Sequence, residues 1–256
     1  EPYFSFESYG DPPAMAQGAR DVLVPNTGML AGIATFNNFD PLLSARSLAF
    51  TEIVSETRSL ALLRLADIRV LEAPKAGPAG LDWSTWPVVA EVDDVQFRLI
   101  PGEAARTRVV YSSIAVENAE QAAAAVRSAD FDPDQTVVVE PAPEPGAGSL
   151  PEGPDGPERI TTAVSLDRDG WVVLSDAAYP GWIAFVDGAP VPVHPANLAF
   201  RAVSVPAGQH IVVWIYRPSS WNIGWMTSLV GVALAGALAV AAILAGRRPQ
   251  QPIQAA

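Results

Sequence analysis

Apolar residues along this chain keep helical spacing early, strand alternation late and an unbroken run at the end. Residues 1–30 are punctuated by Pro12-Pro13, Pro25-Asn26 and Gly28, and read as irregular apart from a short strand at residues 21–24. Asp40 can cap a helix with Pro41 at its first position. A helix is therefore predicted over residues 41–54, with Leu42, Leu43, Leu48 and Phe50 as its apolar contacts. A second is predicted over residues 56–66, where Leu60, Leu63 and Ala66 share one stripe. Short strands are expected at residues 68–71, 88–92, 95–100, 108–114 and 136–140. Residues 116–128 predict a helix, with Glu117 in its first turn and a run of Ala supplying propensity.

Residues 141–158 hold six prolines and four glycines, so they read as a linker in which no regular element persists. Beyond them the pattern is strand throughout. Residues 159–166 and 171–176 flank Asp167-Arg168-Asp169-Gly170. Residues 182–186 turn at Asp187-Gly188 into residues 190–194, and residues 198–205 turn at Pro206-Ala207-Gly208 into residues 210–216. Glycine accepts the positive φ that such hairpins need. In the last strand Ile211, Val213 and Ile215 fall on one face, and Val212, Trp214 and Tyr216 on the other. The expected class is α+β: a mixed region over residues 1–140, then a small antiparallel β-sandwich over residues 159–220.

Ile223 to Gly246 runs 24 residues without a charge, more than the roughly 20 needed to cross a bilayer core. A transmembrane helix is predicted over residues 223–246, followed by a tail over residues 247–256 that begins with Arg247 and Arg248. The positive-inside rule puts that tail in the cytoplasm and residues 1–222 outside. This orientation leads us to expect either a removed export signal or the end of a longer polytopic protein. Trp221 and Trp225 fall where an outer aromatic belt belongs. Gly231, Ala235 and Ala239 keep a small-xxx-small spacing that lets helices approach closely. Leu would satisfy lipid alone, so other transmembrane helices are expected as partners beside the bilayer.

Charge narrows the partners. Ahead of the span stand 14 basic residues against 28 acidic ones, and that surface repels phosphate backbones, so no nucleic-acid partner is expected. The absence of cysteine excludes disulfides and thiolate metal sites. His194 and His210 are far apart and lack an H-E-x-x-H context, so no metal is expected. No nucleophile elbow, phosphate loop or dinucleotide fingerprint occurs, and no cofactor is expected. Asp130-Phe131-Asp132-Pro133-Asp134 alternates carboxylates like a calcium loop but lacks the glycine and distal Glu, and reads as a turn. Asp93 and Asp94 are adjacent, and neighbours on a strand point to opposite faces, which disfavours joint acid–base work.

Tyr179-Pro180-Gly181-Trp182, with Asp187-Gly188 after it, is the sharpest motif. Pro and Gly set a bend. The two aromatics either pack into the core or form a stacking platform for a sugar ring, with Asp176, Asn197 and Arg201 as polar partners. Arg201 sits in an otherwise apolar strand and is expected to pair Asp176 or Asp187.

Several stretches, in order, resemble the C-terminal part of the YfhO-like family of bacterial polytopic membrane proteins. They are Pro25-Asn26-Thr27-Gly28-Met29, Phe39-Asp40-Pro41-Leu42-Leu43, Leu60-Ala61-Leu62-Leu63 and Asp67-Ile68-Arg69-Val70-Leu71. Val116-Glu117-Asn118-Ala119-Glu120 follows, then Val173-Leu174-Ser175-Asp176-Ala177-Ala178-Tyr179-Pro180-Gly181-Trp182 with Val186-Asp187-Gly188. Asn197-Leu198-Ala199-Phe200-Arg201-Ala202-Val203, Pro206-Ala207-Gly208 and Tyr216-Arg217-Pro218 complete the series. The membrane portion of that family is similar to GT-C glycosyltransferases, whose catalytic acids are expected in an early external loop. The resemblance therefore implies a non-catalytic external portion and final membrane helix of a protein involved in lipid-linked sugar transfer to cell-envelope glycans. The alternative expectation is a membrane-tethered, non-enzymatic module: an accessory subunit or a carbohydrate-binding domain.

Overall fold

The structure, a computed structural model, describes residues 44–78, 80–145 and 149–246. The expected strand at residues 21–24, the Asp40 cap and the Arg247-Arg248 pair lie outside the described residues. Helix α1 (Ala45–Thr57) begins at Ser44, whose Oγ accepts the Ser47 amide at 3.0 Å, and ends at Arg58 in the left-handed region. Ser59 then caps α2 (Leu60–Leu65), so the second helix is shorter than residues 56–66. A capping serine and a left-handed residue stop one helix and start the next. Behind α2 a three-stranded antiparallel sheet runs in the order β1 (Val70–Pro74), β3 (Val95–Leu99), β2 (Val88–Val92). Trp83, Trp86 and Ile100 pack with Leu63 and Ala73 in a small core there.

The expected strand over residues 108–114 is two strands, β4 (Thr107–Val110) and β5 (Ser112–Ala115), parted by Tyr111. Helix α3 (Ala119–Arg127), capped by Asn118, leads to β6 (Thr136–Val139), which pairs parallel to β5. All other strand pairs among the described residues are antiparallel. After the irregular stretch come β7 (Arg159–Leu166), β8 (Gly170–Leu174), β9 (Trp182–Val186) and β10 (Ala189–Val191). Next are β11 (His194–Ala196), β12 (Phe200–Val205) and β13 (Gly208–Tyr216). One sheet orders β10-β9-β13-β7, another β4-β8-β12-β11-β6-β5. Residues 141–158 therefore do not separate the sheets, since β4 pairs with β8 and β6 with β11, strands that follow that stretch.

The six-stranded sheet is not flat. Its edge strands β4 and β5 are consecutive in sequence, with Tyr111 alone between them. Six flat strands would set those edges about 24 Å apart, whereas Val110 to Ser112 spans at most about 7 Å. The sheet curls until its two edges are halves of one bent strand. Its inner face closes on Val110, Val137, Val139, Val173, Ala196 and Ala202, all buried. The alternate residues Val172, Leu174, Val203 and Val205 face outward and form one core with Ile160, Ala184, Val186, Val212 and Trp214 of the four-stranded sheet. On β6, Val138 points the other way, to Phe50 and Ile53 of α1 and Ala122 and Val126 of α3. Along β6, β8 and most of β12, successive residues thus find an apolar layer on either side.

Helix α4 (Ser219–Gly246) leaves β13 through Arg217 and Pro218. Of the described residues it alone is long and apolar enough to cross a membrane, over Ser219–Ile243, and its most apolar window is not buried by the rest of the chain.

Candidate functional site

The end of β8 and the start of β9 converge on the last residues of β13. At the edge of the core between the two sheets, apolar packing gives way to charge. Arg201 lies beside Leu174 across the β12–β8 pair, on the face turned to the four-stranded sheet, and is 1% exposed. Its guanidinium stacks 3.5 Å from the centre of the Trp182 ring and 5.8 Å from that of Trp214. Nη2 donates to Asp176 Oδ2 at 3.0 Å and Nη1 to the Ala177 carbonyl at 3.0 Å. Arg106, in the stretch before β4, clamps the same carboxylate from outside, with Nε to Oδ1 at 2.9 Å and Nη2 to Oδ2 at 2.8 Å. A buried cation needs such partners; the aromatic faces add a cation–π contribution. Burial still dominates and lowers the Arg201 guanidinium to about 10. The carboxylate of Asp176 raises Arg106 from its ordinary value.

The Tyr-Pro-Gly-Trp bend sits directly over the junction with α4. Gly181 has φ of 107°, and a Cβ there would meet the Pro218 Cα at 2.8 Å. Its carbonyl accepts the Arg217 amide at 2.7 Å. Trp182 tilts against Tyr216, with ring centres 5.3 Å apart. On the other side of β13, the Tyr216 amide donates to the Glu158 carbonyl at 2.9 Å. Glycine is required at Gly181 by both the positive φ and the close approach.

Of the residues expected to meet a sugar, Asp176, Trp182 and Arg201 come together. Arg201 finds Asp176 rather than Asp187. One face of Trp182 is taken by the guanidinium, whereas Tyr179 keeps an exposed ring, 41% accessible. Asn197 lies elsewhere, fully buried with φ of 47° in the β11–β12 turn. Its Oδ1 accepts the Val138 amide and its backbone amide donates to the Val138 carbonyl, both at 2.8 Å, so it extends the β6 ladder. Arg106, Trp214 and Tyr216 escaped the sequence reading of the site. Nothing in the stretch around Arg106 marks it, whereas the face shared by Trp214 and Tyr216 was legible in the strand alternation.

The other motifs are occupied structurally. Asp187 Oδ1 accepts the Ile211 amide at 2.8 Å and Oδ2 lies 2.6 Å from His210 Nδ1, closing the β9–β10 turn onto β13. Asp134 pairs with Arg108 at 2.7 Å, and Arg108 also donates to the Arg64 carbonyl at 2.7 Å. Glu140, nearly buried, takes both Nη atoms of Arg46, at 2.5 and 2.8 Å, while Arg46 also reaches the Leu198 carbonyl. Among the described residues no group of three or more His, Asp or Glu side chains is placed to hold a metal. Gly231, Ala235 and Ala239 lie exposed along α4. Comparison with protein-family models, with curated proteins and with solved structures finds no match for this chain.

Proposed function

We propose that this chain is the extracytoplasmic portion and terminal membrane helix of a polytopic membrane protein similar to the YfhO-like family, serving lipid-linked sugar transfer to envelope glycans. In this reading the chain supplies no catalytic group. Residues 1–222 stand outside and the tail that begins with Arg247 and Arg248 is cytoplasmic, an orientation supported by the positive-inside rule. The four- and six-stranded sheets are read as the two layers of a sandwich, supported by the apolar core they share.

The observation that carries the membrane part is the exposure of α4. Trp221 is 75%, Val232 70% and Leu238 71% exposed, on a helix with no ionisable side chain. Water does not tolerate so long an apolar cylinder, and a bilayer does. The Gly231, Ala235 and Ala239 spacing supports further helices packed beside it. The sugar-transfer part is supported by the sequence resemblance.

The Asp176 cluster then has a mechanical role. It fixes the bend that holds Pro218, so that the external region and α4 are joined stiffly. The test is the native polypeptide ahead of Glu1. Several apolar spans with an early acidic external motif support the transferase reading. A signal peptide alone rejects it in favour of a tethered accessory or carbohydrate-binding module. For that second reading the exposed Tyr179 ring is the supporting feature, and a glycan array probed with the full chain in detergent tests it. Signal no higher than that of an unrelated acidic membrane protein disposes of sugar binding.

A further inference from the structure

We infer that the Tyr179-Pro180 bend and Arg217 form a docking edge for the lipid headgroup layer of the bilayer that α4 crosses. The inference rests on the membrane reading of α4 and adds a surface to it. Chain continuity brings the two together. Gly181 touches Pro218 and bonds the Arg217 amide, and α4 starts at Ser219, the next residue. Tyr179 lies two residues from Gly181, hence within about 7 Å of it. Wherever α4 leaves the bilayer, this bend is held at that level.

The side chains at the junction suit a headgroup layer. Tyr179 is 41% and Trp221 75% exposed, and amphipathic rings concentrate where hydrocarbon meets water. Pro180 beside Tyr179 is exposed and offers no backbone donor. Arg217 is exposed and makes no ion pair among the described residues, so its guanidinium is free for a lipid phosphate. Asp176 would repel phosphate if it stood alone, but Arg106 and Arg201 already hold it. Glu158 meets the junction through its backbone carbonyl, which accepts the Tyr216 amide, and its exposed carboxylate is one acid that the Arg217 guanidinium has to outweigh. The chain as a whole is strongly acidic, so an edge with an unpaired cation is a local exception.

The absence of native cysteine makes the test direct, because one introduced cysteine is the only labelling site. Three variants of the full chain, Tyr179→Cys, Gln209→Cys and Leu234→Cys, are labelled with an environment-sensitive fluorophore. They are placed in nanodiscs of phosphatidylcholine and phosphatidylglycerol, whose two faces both meet solvent. Gln209 is exposed at the far end of β13, seven residues from Tyr216 and so about 23 Å away along the strand. Iodide quenching is expected to be about threefold weaker at position 179 than at position 209, as for a probe at the headgroup boundary. Adding Arg217→Gln to the Tyr179→Cys variant is expected to recover most of the difference. Equal quenching at positions 179 and 209, with position 234 shielded, overturns the docking edge while leaving the span intact. Free quenching at position 234 rejects the membrane reading itself, and the inference with it.

Discussion

Gly181 joins the external region to its helix through two contacts that other residues forbid. Its φ of 107° belongs to glycine, and an added methyl would strike the Pro218 backbone. Gly188, in the β9–β10 turn, has a φ of 84° but open space around it. Gly188→Ala therefore meets conformational strain alone, about 1 kcal/mol. Gly181→Ala meets strain and collision and should cost about 2–3 kcal/mol. Thermal melts of the two variants in detergent, followed by near-ultraviolet circular dichroism, separate them, and equal shifts would show that the Pro218 contact is slack. Arg201 invites a second comparison. Arg201→Ala empties the space between Trp182 and Trp214 and removes one partner of Asp176, which keeps Arg106; about 2 kcal/mol of stability should be lost. Arg201→Met refills much of that space without a buried charge and should fall within about 1 kcal/mol of the parent. If Arg201→Ala melts like the parent, the stack and the ion pair contribute nothing to the fold.

At the scale of the element, the start of β13 is pinned by a pair whose strength depends on pH. Asp187 is lowered from its ordinary value, first by the Ile211 amide and then by His210. His210 is raised, chiefly by Asp187. A raised histidine stabilises below its unfolded value and loses that contribution as pH climbs through the folded one. A lowered carboxylate stabilises above its unfolded value and loses it as pH falls through the folded one. With ordinary values near 4 and 6.5, the pin is fully formed between about pH 4 and 6.5. Amide exchange at Ile211 should be most protected in that window, and Asp187→Asn should abolish the dependence. A flat profile in the parent would dismiss the pair. The strands β7, β9 and β13 and both glycine turns were legible because alternation and turn chemistry are local. The break at Tyr111 was not. Residues 108–114 alternate well enough for one strand, and only the curl of the sheet, set by partners as distant as Leu174 opposite Thr107, sends its halves to opposite edges. Arg106 was illegible for the same reason: its partner Asp176 lies 70 residues on. Asn197 shows the same limit: in sequence an amide in a turn looks the same whether it faces a ligand or, as its Oδ1 does here, accepts a buried strand amide.

For the whole molecule, the cores and the helix are energetically separate. No residue of α4 belongs to any of the five apolar cores of the described chain, and its apolar window is unburied. A soluble protein of this size cannot leave such a helix in water, because its apolar face would drive association. A membrane protein has no such cost, since lipid takes the place of a packing partner. The two situations diverge when the helix is removed. A chain ended after Pro218 retains 14 basic and 28 acidic residues, and that net charge keeps it dispersed. It should stay monomeric without detergent and keep its near-ultraviolet dichroism, with a Tm within about 3 °C of the full chain. The full chain should require detergent or lipid and sediment with vesicles after alkaline washing. Aggregation or loss of tertiary signal in the shortened chain would mean that α4 packs on the sheets. Its exposure would then not be that of a membrane span, and the proposed function would lose the observation on which it stands.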